Sequence, residues 1–515
     1  MREVIMRSVI KAFGQLLAPT SKRFYKALEN PQQAQQAVQQ RLVKRLKNCE
    51  YGQKYQIDTI EDWHRLPIVT YEDLHPWIPP VGQLVTQRSS LTPEPILFYE
   101  PTSGSSGPRK QIPYTRSLRR SFNYLFGIWA HDLIVNGSGF TTGKFYFSIS
   151  PTFTKVDTPQ GTTDEAEYLD PWLRWLLRPF MVTAPQTHTP EEFKGQLAQT
   201  LLKAADLEII SIWSPSFLTA QLDYIQRHQL QLATALKSTL SSDRLALLQQ
   251  DKISWASLWP NLKLISCWDS VTATDGASTL SSHFPTALVQ GKGLLATEAP
   301  MTVPLIAANG YVPMLSEIYF EFADATGRCH ALHELEIGKT YEVIISQMGG
   351  LYRYRMGDRI KVTHYFRSTP CLEFVGCGKA VSDLVGEKLH IQFVSDVLAK
   401  LDLSPSSFQS LVPVRQPQDH YVLLLDKFEG DVDAIAQQLD QALCESFHYQ
   451  LARQLEQLCP AKLLVSATVV EQLAANRLTD GQRWGDMKHT KLSTKSYQDL
   501  SFISSESQFV SELSP

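Results

Sequence analysis

The chain has 515 residues, 43% of them hydrophobic and 20% charged, with a formal net charge of −3. That length predicts two or three domains rather than one core, and the near-balanced charge gives no electrostatic case for nucleic acid or an anionic membrane as a partner. The seven cysteines are scattered with no Cys-x-x-Cys pair, so neither a zinc site nor a disulfide framework is expected. Met1 to Pro19 carries basic residues without a continuous apolar run, and no stretch approaches the length of a membrane span, so a soluble cytoplasmic protein is expected.

In chain order, the first 50 residues read as helical, and the Gln-rich stretch Pro31 to Gln40 reads as a solvated helix face. Residues 66 to 96 are broken by proline. An apolar run, Pro95 to Tyr99, and a short extended run, Gln111 to Thr115, flank the sequence Thr-Ser-Gly-Ser-Ser-Gly-Pro-Arg-Lys that ends at Lys110. Arg116 to Val135 is predicted to be an amphipathic helix. Strands are predicted at Phe145 to Ser150, Leu207 to Trp213, Leu262 to Trp268 and Ala287 to Gln290, with Pro215 to His228 helical between them. This alternation predicts a largely parallel α/β architecture with ligands at strand ends. From Met314 the pattern changes to short strands with turns, at Glu317 to Phe322, Thr340 to Ser346, Leu351 to Arg355, Arg359 to Tyr365 and Cys371 to Val375, as in an antiparallel sheet. Gly376-Cys-Gly-Lys379 is the expected hinge. Beyond it a helix at Ile391 to Lys400, a strand at Tyr421 to Leu425, a long helix from Val432 to about Leu458 and a strand at Lys462 to Ala467 predict a compact α+β domain with a polar tail, Leu478 to Lys495.

Three stretches carry chemistry. In the first, Thr102, Ser103, Ser105 and Ser106 supply hydroxyls, and Gly104 and Gly107 let the backbone approach a ligand. Successive backbone N–H groups there form an anion cradle, to which Lys110 adds charge. It is not a Walker A loop, because no Gly-Lys-Ser/Thr triplet follows; a surface linker is the alternative. In the second, Gly291-Lys-Gly293-Leu-Leu-Ala296 matches a dinucleotide fingerprint, but two prolines follow where a helix should start. The Thr297-Glu298 pair, at the end of a core strand, offers a carboxylate for Mg²⁺ beside phosphates, or is an ordinary loop acid. In the third, Gly350 to Asp358 is predicted as strand-turn-strand, with Asp358 at the turn accepting from paired ribose hydroxyls or serving the turn alone. His330, His333 and Glu334 lack the order and spacing of a zinc protease helix, and no Gly-x-Ser-x-Gly elbow occurs.

Taken in this order, the three stretches resemble the auxin-responsive promoter (Gretchen Hagen) family of acyl acid–amido synthetases, within the luciferase-like adenylate-forming enzymes. Thr102 to Pro113 matches the family's phosphate loop, Thr297-Glu298 its Ser/Thr-Glu pair, Tyr319-Phe320-Glu321-Phe322 its strand motif, and Tyr354-Arg355-Met356-Gly357-Asp358 its Tyr-Arg-x-Gly-Asp motif. Ser382 to Leu389 is similar to the segment joining the family's two domains. Two departures stand out: Cys377 occupies a position that is basic in many relatives, and the C-terminal lysine motif is faint, leaving Lys488 first and Lys491 second as the mobile lysine.

The resemblance implies an α/β fold in which a large adenylate-forming domain (1–376, mostly parallel sheets plus a small antiparallel region) is joined by a hinge (377–390, with Lys379 and Asp383) to a smaller mobile α+β domain (391–515). It implies ATP-dependent activation of a carboxylic acid and transfer of the acyl group to an amine, such as an amino acid. Thr102, Ser103, Gly104, Ser105, Ser106, Gly107, Lys110, Thr297, Glu298, Tyr354, Asp358 and Lys488 are expected to hold ATP, Glu298 also Mg²⁺. Glu298 and Lys488 are the expected catalytic residues. Trp129, Phe147, Trp213, Phe217 and Trp268 are apolar enough to line an acyl crevice, and equally suit plain core. Transfer to a thiol such as coenzyme A, or a weakened nucleotide- or acid-binding protein, are the rival expectations. The acid, the amine and the oligomeric state are left open.

Overall fold

The computed structural model describes residues 2–79, 90–101, 110–147, 175, 177–183, 190–270, 273–377, 381–382, 384, 387, 389–454, 458–479, 490–501 and 503. They divide into two compact units, one up to Gly376 and one from Cys377 onward.

The first unit begins with two helices, Arg2–Ala27 and Pro31–Leu46. The second starts cleanly because Asn30 accepts from the Gln33 amide (3.1 Å) and Pro31 occupies the first turn, where its missing N–H costs nothing. Helix Arg116–Asn136 is capped by Thr115 and buries Leu118, Phe122, Leu125, Ile128 and Leu133 at helical spacing. It packs against the N-terminal helix and against strand Thr302–Leu305. The largest core gathers these helices with the hairpin Thr302–Leu305/Gly310–Pro313 and the antiparallel sheet.

Two five-stranded sheets position the functional residues. The parallel sheet runs Met181–Val182, Phe145–Phe147, Ile209–Ser211, Leu264–Cys267, Leu288–Gly291. The chain moves outward in one direction from Phe145–Phe147 and then returns to add strands on its other side. In open α/β sheets, ligands bind at the carboxyl ends of strands beside such a reversal. The antiparallel sheet runs Cys329–Ala331, Tyr319–Ala323, Thr340–Ser346, Tyr354–Phe366, Thr369–Cys377.

Several expectations are corrected. Leu351 to Arg355 and Arg359 to Tyr365 are not two strands around a turn: Tyr354–Phe366 is one strand with a bulge, so Asp358 is not at a hairpin turn. Thr297 and Glu298 do not end a core strand. They form the two-residue turn of a separate hairpin, Leu295–Ala296/Ala299–Pro300, past the end of strand Leu288–Gly291.

In the second unit, Gln409–Val414 pairs antiparallel with His420–Leu425, which pairs parallel with Lys462–Val465. Both faces of this sheet are buried. Leu411, Leu423 and Leu463 pack on one side with Val394, Leu439 and Leu443, while Val412, Leu424 and Leu464 pack on the other with Val469 and Leu473. The predicted long helix is two, Val432–Leu443 and Phe447–Gln454. The expected polar tail is in part structural. Residues 490–497 run parallel to Gln409–Val414, with Leu411 donating to the Lys491 carbonyl (2.9 Å) and Tyr497 to that of Pro413 (2.8 Å), and Leu492 and Tyr497 are buried. Among the described residues no helix is long and apolar enough to cross a membrane.

Candidate active site

The loop from Thr102 to Arg109 lies outside the described residues, as do Lys379, Asp383 and Lys488. Its two stems are described: Phe98–Pro101 and Gln111–Tyr114 pair antiparallel, with Pro101 opposite Gln111 at the loop end. Beyond the stem, Lys110 Nζ donates to the Tyr354 hydroxyl (3.1 Å) and lies 5.7 Å from the ring centroids of both Tyr71 and Tyr354. Tyr71 also accepts from the Gln111 amide (2.9 Å). The Tyr354 hydroxyl and the nearby Tyr71 ring thus steady one ammonium group at the loop's end.

The stem is tied to the second motif as well. The fully buried Tyr114 donates its hydroxyl to the Thr297 carbonyl (2.7 Å), and Gln347 Nε2 donates to that of Glu298 (3.3 Å). The turn is therefore gripped through its backbone on two sides, and Glu298 is 8% exposed. Burial, then the nearby Glu298 carboxylate, then Glu72, Tyr71 and Asp358, raise the Tyr354 pKa. Its hydroxyl stays protonated and, while accepting from Lys110, retains a proton to donate.

Asp358 reaches this cluster through the bulge. Between the pairs Glu342–Arg359 and Ile344–Arg355, the single residue Val343 faces Met356, Gly357 and Asp358, and Gly357 adopts φ +82°. Glycine takes that conformation without steric cost, and bulges commonly re-aim a side chain beside a functional site. Arg353, by contrast, is structural. Its guanidinium grips Glu321 (Nη2–Oε1 2.8 Å, Nε–Oε2 3.0 Å) and the Leu66 carbonyl (2.6 Å). That strap reaches past the neighbouring strand Thr340–Ser346 to tie the start of Tyr354–Phe366 to Tyr319–Ala323, and Val69 forms a bridge with Tyr354.

At the carboxyl edge of the parallel sheet, Trp213 and Trp268 follow adjacent strands with their ring centroids 5.6 Å apart. Lys292, just past the next strand, donates to Ser211 Oγ (2.8 Å) and Ser266 Oγ (3.2 Å) and lies 5.3 Å from the Trp213 ring centroid. Each serine accepts from Lys292 and keeps its own proton to donate. Trp129 donates Nε1–H to Gln290 (2.8 Å). Phe147 ends its strand half-buried, whereas Phe217 packs against Phe193 between two helices. Tyr311 donates to Asp269, and burial raises the pKa of both groups. Burial also pushes the Cys267 thiol up to about 12, which removes it as a nucleophile.

Lys292 and Tyr71 escaped sequence reasoning. Lys292 sits within a dinucleotide fingerprint that the prolines after Glu298 exclude, and nothing local announces its neighbours Ser211 and Ser266. The proline-rich surroundings of Tyr71 hid it.

The described residues thus hold a parallel sheet, a hairpin whose Tyr114 bonds the Thr297–Glu298 turn and whose flanking Lys110 bonds Tyr354 ahead of a bulge, and a separate α+β unit. Residues 20–289 match the GH3 family N-terminal domain and residues 311–377 the GH3 family central domain, and the chain belongs to the GH3 family. It is 25% identical over 493 residues to the indole-3-acetic acid-amido synthetase GH3.2 of Arabidopsis thaliana, covering 79% of this chain and 87% of that one. Among solved structures it is similar to the AtGH3.15 acyl acid amido synthetase in complex with 2,4-DB (TM-score 0.75, 20% identity, covering 92% of this chain and 94% of that one). It is also similar in fold to a 2-hydroxyisobutyryl-CoA ligase in its postadenylation state (TM-score 0.51, 16% identity, covering 92% and 89%).

Proposed function

We propose that the protein is an acyl acid–amido synthetase: it activates a carboxylic acid with ATP and passes the acyl group to an amine, with an amino acid as the amine. The observation that carries this is the bonding of three sequence-distant motifs into one cluster, Lys110 to Tyr354 and Tyr114 to Thr297, with the Glu298 and Asp358 carboxylates acting on the same tyrosine.

In the first step a carboxylate oxygen bonds to the α-phosphorus while the bond from that phosphorus to the bridging oxygen breaks, releasing pyrophosphate. Two anions must meet, so positioning and charge stabilisation dominate. Thr102, Ser103, Gly104, Ser105, Ser106 and Gly107 are assigned to the β- and γ-phosphates, with Lys110 orienting them, and Tyr354 and Asp358 to the ribose side. Glu298 suits Mg²⁺: it stands on a turn gripped through its backbone by Tyr114 and Gln347, and that ion typically takes one or two carboxylates and fills its remaining positions with phosphate oxygens and water. When bound it supplies charge neutralisation on the leaving pyrophosphate. In the second step the amine nitrogen bonds to the carbonyl carbon, the carbon–oxygen bond to AMP breaks, and the nitrogen loses a proton to solvent.

The acid is assigned to the crevice edged by Trp129, Phe147, Trp213 and Trp268, with Lys292 and its two serines as donors for a carboxylate. Phe217 is the weakest member of that set because its ring is already used between helices. Lys488 is assigned to the α-phosphate, with Lys491 as its rival, and the segment 377–390, including Lys379 and Asp383, to the hinge.

ATP–pyrophosphate exchange across a panel of carboxylic acids tests the first step, and mass analysis of reactions with amino acids or with coenzyme A separates amide from thioester formation. Lys488→Ala should abolish exchange while ATP still binds; undiminished exchange would remove Lys488 from the site. Background exchange with every acid would favour a binding protein instead.

A further inference from the structure

Lys292 stands between two glycines, Gly291 and Gly293, and glycine leaves a backbone more freedom than any other residue. Both are seated against one side chain, Tyr311, from the hairpin Thr302–Leu305/Gly310–Pro313. A Cβ at Gly291 would strike the Tyr311 hydroxyl and the Asp269 carboxylate, and a Cβ at Gly293 would strike the Tyr311 ring and Thr302 Oγ1. The hairpin is itself anchored in the largest core, where Val303, Leu305 and Val312 are buried.

Asp269, two residues past strand Leu264–Cys267, makes the joint. Its carboxylate accepts from the Tyr311 hydroxyl and from the amide of Gly291, the last residue of the neighbouring strand. Two strand ends and the hairpin therefore meet at one carboxylate. Beyond Gly293, Thr302 Oγ1 accepts from the Leu294 amide (2.8 Å), and the Met301 and Thr302 amides donate to the Leu294 carbonyl (3.0 and 3.1 Å). The backbone is thus held before and after Lys292, while Ser211 and Ser266 hold the other end of its side chain.

We propose that Tyr311 and Asp269 are positioning residues for the acid: by fixing Gly291 and Gly293 they set where the Lys292 stem leaves the backbone, and so where its ammonium group meets a carboxylate. This rests on the assignment of the acid to the crevice at Lys292. The need arises from the side chain itself. A lysine stem is four flexible carbons ending in a point charge, and a glycine on each side lacks the Cβ that would restrain the backbone from which it springs. Tyr311 and Asp269 supply that restraint from outside the segment and act on the acid through Lys292. A plain staple between sheet and hairpin would contribute stability and be indifferent to Lys292.

Tyr311→Phe keeps the ring over Gly293 and removes only the hydroxyl. In ATP–pyrophosphate exchange it should raise the KM for the acid about three- to tenfold, the worth of one hydrogen bond, with kcat at saturating acid and the KM for ATP little changed. In a Lys292→Ala background the same substitution should add nothing further, because the two residues act in series. An unchanged acid KM, or an effect that persists in full without Lys292, overturns the proposal. The position of Lys292 can also be read without turnover, by mass spectrometry of its labelling with a small amine-acetylating reagent. Faster labelling in Tyr311→Phe than in the parent is expected, and equal labelling overturns the proposal. A parent that exchanges with no acid would sink the amido-synthetase reading, and the labelling would then decide this proposal by itself. Urea unfolding establishes that the variant is folded under assay conditions; if it is not, Asp269→Asn, which removes the charge at the joint and leaves Tyr311 in place, carries the same expectations.

Discussion

Lys292 illustrates how much a single side chain gains from the sheet beneath it. Its ammonium group is fixed by Ser211 and Ser266, which belong to neighbouring strands, and by the face of Trp213. Lysine elsewhere is a flexible point charge; here its position is set before any ligand arrives. Lys292→Ala should raise the KM for the acid by about ten- to a hundredfold, the loss of one or two charge-assisted bonds, with little change in ATP affinity. Initial-rate kinetics with each substrate varied will show it, and an unchanged acid KM would remove Lys292 from the acid site. At this scale the sequence was most legible where motifs are contiguous. Thr297-Glu298 and Tyr354 to Asp358 stand out in the sequence, and the structure adds what joins them, the Tyr114 and Lys110 bonds. Lys292, Ser211 and Ser266 are unremarkable in sequence because their meaning arises only from parallel pairing across 81 residues.

Among the elements, the bulge in strand Tyr354–Phe366 sets the direction of Asp358. Gly357 has nothing within 4 Å of where a Cβ would stand, so its requirement is purely conformational, φ +82°. Gly357→Ala should cost about 1–2 kcal/mol and weaken ATP binding by turning Asp358. Calorimetric titration with ATP together with urea unfolding will separate the two effects. At the opposite edge of the parallel sheet, the fully buried Glu208 accepts from Lys263 Nζ (2.5 Å), from Thr141 Oγ1 (2.8 Å) and from the amides of Thr141, Thr142 and Gly143. Burial pushes its pKa up, but the bonds from Lys263, Thr141 and Gly143 outweigh burial and hold it below the usual value of 4.5. A depressed folded pKa contributes stability that is complete above the unfolded value and is lost as pH falls through the folded one. Glu208→Gln should cost about 3 kcal/mol at neutral pH, as breaking a buried charge pair does, and should flatten the acid limb below about pH 4.5. Urea unfolding of both proteins at neutral and acid pH checks the sign. Sequence periodicity found these strands because their apolar runs are continuous. It missed the bulge, because a glycine inside an extended pattern reads equally as a turn, and it merged two C-terminal helices because Cys444 to Ser446 contains no helix-breaking residue.

For the whole molecule, the division at Gly376 leaves two sets of cores. One is built from the N-terminal helices, the hairpins and the antiparallel sheet, and the other lies on both faces of the three-stranded sheet. Two cores are expected to unfold in two calorimetric transitions, and ATP should raise the one belonging to the unit that holds Glu298 and Asp358, by mass action. A single transition unaffected by ATP would contradict this. The α/β class and the family were legible because motif order survives when spacing drifts. The packing of residues 490–497 along Gln409–Val414 was not, since their polar composition conceals the buried Leu492 and Tyr497.

The segment from Gly291 to Ala299 joins the place assigned to the acid to the place assigned to the nucleotide. It starts with Lys292 on the serines at the edge of the sheet and ends at the turn bearing Glu298, with Gly293 in the left-handed region (φ +64°) and the Leu294 amide held by Thr302 Oγ1 (2.8 Å) between them. A Cβ at Gly291 would collide with Tyr311 and Asp269, so this backbone has little room to adjust at its start. With the acid assigned to one end and the nucleotide to the other, whatever factor one changes in the affinity of the other must be returned in full.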